Sequence, residues 1–216
     1  MTRRVQLAID ASAGPASVAL FVDGALLDAR RIERQGSAEL LAPTIAAVMQ
    51  AASLAPSAIT DVIVGAGPGS FTGLRVAAAL AKGLVRGAGA QLHAVPSLPL
   101  IAAANGAARL GTYFAVLDAL RGEWFVQSVT KGVGGSWTID GPFERIAAQV
   151  VRDRAVDRGA TIVGPPVDAL QQPDARAALL IGAHAVPLDS WEPQYGRLAE
   201  AQVMWEATHA RALPGA

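Results

Sequence analysis

The chain has 216 residues, 18 basic and 18 acidic side chains, 52% apolar residues and no cysteine. That length suits one large domain or two small ones. Its balanced charge argues against a protein that grips nucleic-acid phosphates by itself, and the missing cysteines exclude a disulfide framework and a thiolate metal site.

Residues 5–10 read as a strand ending in Asp10, and residues 17–22 and 25–30 as a hairpin around Asp23-Gly24. Residues 38–52 read as a helix, 62–64 as a strand, 72–85 as a second helix, 92–95 as a strand and 97–105 as a buried helix. Further on, 113–118 and 124–130 form a hairpin across Arg121-Gly122, and 136–140 add an edge strand. Residues 143–154 read as a helix, 161–163 as a strand and 198–212 as a terminal helix. A boundary near 100–111 divides the chain into lobes 1–104 and 105–216. Three antiparallel strands followed by helix, strand, helix, strand resemble the ribonuclease H-like half of an actin-like ATPase. Alanine-rich runs are interrupted by Gly, Pro and charge, so no segment offers a membrane-length apolar stretch. No signal peptide precedes the first strand, which makes a cytoplasmic location the expectation.

The most informative stretch is Gly67-Pro68-Gly69-Ser70-Phe71-Thr72-Gly73-Leu74-Arg75, which joins a strand to a helix. Glycines at 65, 67 and 69 allow positive φ and close backbone approach. Pro68 stiffens the bend, and Ser70 and Thr72 can cap the first helical N–H groups. Such a helix N-terminus can hold a phosphate, through Gly67, Gly69, Ser70 and Thr72. The P-loop pattern fails for want of Gly-Lys-Ser/Thr, and the dinucleotide pattern fails because Ser70 stands where its third glycine would fall. The turn therefore either cradles an anion or packs two backbones closely.

In the helix it opens, Arg75, Lys82 and Arg86 lie within roughly 20° of one line and everything else is apolar or small. Gly73, Ala77 and Ala81, and Ala79 with Gly83, recur at four-residue spacing and let another helix approach. In the preceding helix Leu40, Leu41, Ile45, Val48, Met49 and Ala52 make one face, and Ala42, Ala46, Ala47 and Ala51 much of the other, with Glu39 the sole charge. Two neighbouring helices without a charged face suggest a surface for a partner or a second copy. Leu41, Ile45, Val48, Met49, Gly73, Val76, Ala77, Leu80 and Leu84 are the residues expected there, with burial in the chain's own core as the alternative.

Catalytic readings find less support. Asp10 and Asp118 end strands and could hold Mg²⁺ in a kinase or a ribonuclease H-like nuclease. Asp61, however, opens its strand and Glu39 sits in the partner helix, and solvation of strand ends explains the pair as well. His93, His184 and His209 are isolated, without zinc-ligand spacing, and Ser70 lacks identifiable His and Asp partners for nucleophilic work.

Leu7-Ala8-Ile9-Asp10-Ala11-Ser12, Ser17-Val18-Ala19-Leu20, the 67–75 motif, Ala81-Lys82-Gly83-Leu84, Val95-Pro96-Ser97-Leu98, Val116-Leu117-Asp118-Ala119 and Gly122-Glu123 together resemble the TsaB/YeaZ family, with Pro193, Tyr195, Arg197 and Ala199-Glu200 matching its closing pattern. The resemblance implies an α/β, actin-like ATPase (ASKHA, ribonuclease H-like) fold of two lobes, the C-terminal one reduced. It implies a non-catalytic subunit that pairs with a TsaD homologue, joined by a TsaE homologue, for threonylcarbamoyl transfer to the tRNA adenosine beside the anticodon. The two N-terminal helices would form the pairing surface, and the free chain would use it to form a homodimer. No cofactor of its own is implied, tRNA contact would be indirect or weak, and binding of ATP or ADP at the complex interface stays open. The chain departs from the family pattern at Ala11, where Thr is usual, at Leu120, where Arg is usual, and at Gly36-Ser37, where a His-Ser pair is common; each change removes a polar group from a ligand site.

Overall fold

The computed structural model describes residues 3–33 and 37–196. The first three strands are β1 (Val5–Asp10) and β2 (Ala16–Val22), mostly apolar and buried, and β3 (Ala25–Ile32), a more exposed edge strand that carries Asp28, Arg30 and Arg31. Asp23 and Gly24 join the last two with φ of 51° and 83°, the paired positive values that a tight hairpin turn demands. A 3₁₀ turn, Ser37–Leu40, leads into α1 (Leu41–Ala51); Pro43 falls in its first turn, where a missing N–H costs nothing. Then come β4 (Asp61–Gly65), α2 (Phe71–Ala88), β5 (Gln91–Val95) and α3 (Ser97–Ala104). β1, β4 and β5 run parallel, with β2 and β3 antiparallel beside β1.

The second half is built on β6 (Gly111–Asp118) and β7 (Glu123–Lys131), with β8 (Trp137–Ile139), β9 (Glu144–Ala147), α4 (Ala148–Arg158) and β10 (Thr161–Val163). Residues 143–154, expected to be one helix, split into β9 and the start of α4. The four residues of β9 pair with β7, Ile146 opposite Trp124, and are too few to show a strand period in sequence. After β10 the chain returns to the first sheet through a 3₁₀ turn, Ala175–Ala177, then α5 (Ala178–Ile181) and β11 (His184–Ala185), which pairs with β5. The strand orders are β11-β5-β4-β1-β2-β3 and β10-β6-β7-β8. The expected helix at 198–212, and with it Arg197, Ala199, Glu200 and His209, lies outside the described residues, as does Gly36.

Three layers of core follow. α1 and α2 cover one face of the first sheet, bringing Leu41, Ile45, Val48, Met49, Ala77 and Ala81 onto Leu7, Ile9, Val62 and Val64. α3 lies between the sheets: Leu100 and Ala103 pack on the first sheet's other face, Leu98, Ile101 and Ala102 on Tyr113, Leu117 and Phe125 of the second. That explains why α3 is apolar all round. α4 covers the outer face of the second sheet with Val151 and Ala155. Among the described residues no helix is long and apolar enough to cross a membrane.

Candidate functional site

Asp10 ends β1 and is 1% exposed. Its Oδ1 accepts from the Ser12 backbone N–H at 3.0 Å and the Ser12 hydroxyl at 2.7 Å, and its Oδ2 from the Ser97 hydroxyl at 2.6 Å. Ser97 Oγ in turn accepts from the Gly67 N–H at 3.0 Å. Burial pushes the Asp10 carboxyl above its ordinary value, opposed by the hydrogen bonds from Ser97 and Ser12 and reinforced by the charge of Asp174. The carboxylate thus ties β1, the following loop, the glycine turn and the start of α3 together. Asp118, the other strand-end carboxylate, is exposed and accepts from the Leu120 N–H at 2.8 Å, closing its own hairpin turn. Among the described residues no group of three or more His, Cys, Asp and Glu side chains could hold a metal.

The glycine turn packs backbone on backbone. A Cβ on Gly69 would meet the Ser12 carbonyl, one on Gly73 the Ala11 carbonyl, and one on Gly67 the Gln194 carbonyl. Ser70 caps α2, accepting from the Gly73 N–H at 3.3 Å. Gly69, Ser70 and Thr72 line a cleft of about 570 Å³ between the lobes, together with residues 12–15, Leu117, Asp118, Phe125, Gln172 and Tyr195. Gly67 is buried behind it. Asp118 is the one charged side chain among the described residues lining the cleft, and the N-terminus of α2, the positive end of a helix dipole, opens onto it.

The residues expected at a partner surface divide. Leu41, Ile45, Val48, Met49, Gly73 and Ala77 are buried in the single chain, whereas Val76, Leu80 and Leu84 are half-buried. Large side chains gain most from burial, so the big face of α1 turns inward and its alanines outward. Outward too are Ala79, Gly83 and Gly87 of α2, beside Ala42 and Ala46 of α1. Two shallow grooves lie on this face, of about 160 Å³ between Ala42, Ala46, Leu80 and Leu84 and about 350 Å³ along Ala79, Gly83 and Gly87. Gly73, Ala77 and Ala81 bring α2 against its own sheet instead.

Residues 186–196 run back along α2 as a strap that the sequence pattern did not reveal. Lys82 pairs with Glu192 at 3.1 Å and Arg86 with Asp189 at 2.8 Å; the Gln194 N–H donates to the Ala66 carbonyl at 2.8 Å. Tyr195 packs on Phe71 with ring centroids 4.7 Å apart, and the Arg75 guanidinium stands 5.2 Å from the Phe71 centroid. The line of three cations on α2 and the acidic residues at 189 and 192 were the available signal. His93 Nε2 lies 2.8 Å from Asp61 Oδ1, and Arg4 bonds both oxygens of that carboxylate at 3.0 and 2.9 Å. Burial favours the neutral form of Asp61, but the bonds from Arg4 and Thr60, with the charges of Arg4 and His93, hold it below the usual carboxylate range.

A family model described as TsaD, tRNA N6-adenosine threonylcarbamoyltransferase, matches residues 31–140, about half of the chain. The tRNA threonylcarbamoyladenosine biosynthesis protein TsaB of Escherichia coli (strain K12) is 28% identical over 152 residues, covering 68% of this chain and 64% of that protein. The protein of the same name from Haemophilus influenzae is 31% identical over 128 residues, 58% of this chain and 53% of that one. The chain thus matches less than two thirds of the length of these curated relatives. The solved structure of YeaZ from Pseudomonas aeruginosa superposes with a TM-score of 0.72 at 23% identity, covering 89% of this chain and 99% of that one, a likeness of fold. The shared fold is the α/β, two-lobed actin-like (ASKHA) architecture, here with two sheets and α3 between them. By the family model over half its length, its curated relatives and its fold, the chain belongs to the TsaD-like proteins, in the TsaB/YeaZ family.

Proposed function

We propose that the chain is a non-catalytic, activating subunit of the cytoplasmic system that makes threonylcarbamoyladenosine on tRNA, pairing through α1 and α2 with a TsaD homologue that a TsaE homologue joins. The observation that carries this reading is the outward face of the two helices, where Ala42, Ala46, Ala79, Gly83 and Gly87 form an uncharged row of small exposed residues. Small residues let a partner helix come close, and each Å² of apolar surface buried contributes about 25 cal/mol. In the absence of the partner a second copy of the chain takes the same face. The carboxylate of Asp10 is committed to Ser12 and Ser97, which supports a structural role over a catalytic one. The chain's balanced charge is in keeping with indirect or weak contact with tRNA, and because Asp118 is the one charged side chain lining the cleft among the described residues, any ATP or ADP would bind where a partner adds charge, at the complex interface.

Reconstitution tests the reading. The purified chain, the TsaD and TsaE homologues and a carbamoyl-adenylate synthase are assayed singly and together for modified adenosine in tRNA. Modification only in mixtures that include the chain is the expected result. Full modification without it, or metal-dependent turnover by the chain alone that is lost on Asp10→Ala, overturns the proposal.

A further inference from the structure

Three cations stand in line on α2, and the strap answers them in reverse order. Asp189 meets Arg86 and Glu192 meets Lys82. At the next step of that rhythm the strap carries Tyr195, whose ring lies on Phe71 rather than offering a carboxylate. Among the described residues Arg75 has no acidic partner; its guanidinium stands over the Phe71 ring and is exposed. The charge of Arg75 is felt at the Tyr195 hydroxyl, which burial and Glu192 push up and Arg75 pulls down.

Its place is a seam. Phe71, Thr72 and Tyr195 beside it line the interlobe cleft, while Thr72 and Ala79, three and four residues away, are exposed on the outward side of α2. We infer that Arg75 is the charge-recognition residue of the α1/α2 face, receiving a carboxylate side chain of the protein partner when the complex forms. The inference rests on the pairing proposed above. A guanidinium presents a planar fork that matches a carboxylate with two parallel bonds, and one already held over an aromatic ring loses less freedom on binding. Lys82 and Arg86 carry their own acids, so they offer a partner no comparable gain. Beside a row of small uncharged residues, and with Arg86 already paired to Asp189, one open cation fixes orientation and accelerates encounter, effects that salt weakens.

The test measures affinity of the full chain for the TsaD homologue at low and high salt, with and without ADP. Arg75→Gln is expected to weaken binding about tenfold at low salt and much less at high salt, whether or not ADP is present, with an unchanged melting temperature. Arg86→Gln is expected to change affinity less than threefold. In Arg75→Lys, a carbodiimide is expected to link position 75 to an Asp or Glu of the partner, identified by peptide mass spectrometry. Normal binding by Arg75→Gln alongside loss in Ala79→Glu overturns the role of Arg75 and leaves the pairing face standing. A loss confined to samples with ADP points to phosphate and overturns the carboxylate assignment. Wild-type chain that does not bind the homologue at all overturns both.

Discussion

Two rows of small residues run along α2, and they have opposite fates. Gly73, Ala77 and Ala81 face inward, where Gly73 touches the Ala11 carbonyl and lets the helix lie against β1. Ala79, Gly83 and Gly87 face outward, and a Cβ on Gly83 or Gly87 would meet nothing within 4 Å. Smallness is therefore a requirement of this chain's fold on one side, whereas on the other the fold makes no demand for it. An outward row of alanine and glycine, which gives up helix stability at the glycines, asks for an explanation beyond the single chain.

Of the two rows, the inward one tolerates least change, and least of all at Gly73. Gly73→Val is expected to cost about 3 kcal/mol or more, because the clash is with backbone and cannot be relieved by a rotamer; a melt within a degree or two of wild type would refute the packing account. Ala79→Glu, on the outward row, is expected to leave the melting temperature intact yet lower affinity for the TsaD homologue at least tenfold, about 1.4 kcal/mol, by placing a carboxylate that must be desolvated on the face and, four residues from Arg75, by drawing off that guanidinium. Normal affinity would move the pairing surface elsewhere; Ala46→Glu tests α1 in the same way, whereas Ala78 is buried and unsuitable. Ser70→Ala, at the end both rows share, is expected to cost about 1 kcal/mol as a lost cap. If it instead abolished nucleotide binding without touching stability, the anion-cradle reading of the turn would gain. Gly83→Ala should stabilise the free chain by about 0.5 to 1 kcal/mol, readable as a raised denaturant midpoint with unchanged slope.

The smallest effect at fixed pH concerns the carboxylate behind the inward row. Asp10 has a raised folded pKa, so its contribution to stability is fully present below the ordinary carboxylate value and is lost as pH rises through the folded value. Asp61, held low, works in the opposite sense: its contribution is present above the ordinary value and is lost as pH falls through the folded one. Denaturant melts of wild type and Asp10→Asn across this range should diverge in slope, with wild type losing stability relative to the variant as pH rises. Parallel profiles would mean that Asp10 titrates alike in both states.

Much of this was legible beforehand. The runs at β1, β2, β4 and β5 are apolar enough to announce themselves, and the glycine turn names its own geometry through Gly69 and Gly73. What stayed hidden is short or set by tertiary contact. β9 has four residues and β11 two, below any period, and the strap has neither a helix nor a strand period, only acids at 189 and 192 to match the cations of α2. For α1 the uncharged composition was read as a surface of large side chains, but Leu41, Ile45, Val48 and Met49 are the chain's own core. Sequence could not say which row of α2 faces inward, because both are uncharged; the Ala11 carbonyl decides it. Asp10 and Asp118 share the same strand-end signal, and the serine hydroxyls at 12 and 97 separate them, the second of them 87 positions away in the chain.

The route of the chain through its two sheets has a bearing on how it is made. β5 waits for β11, and Lys82 and Arg86 wait for their acids, until the whole second sheet has been synthesised. On the ribosome the first lobe is therefore unfinished while the second emerges. Its contacts of long sequence separation make it slow to close, and during that interval α2 and the edge of β5 stand open to whatever else is nearby.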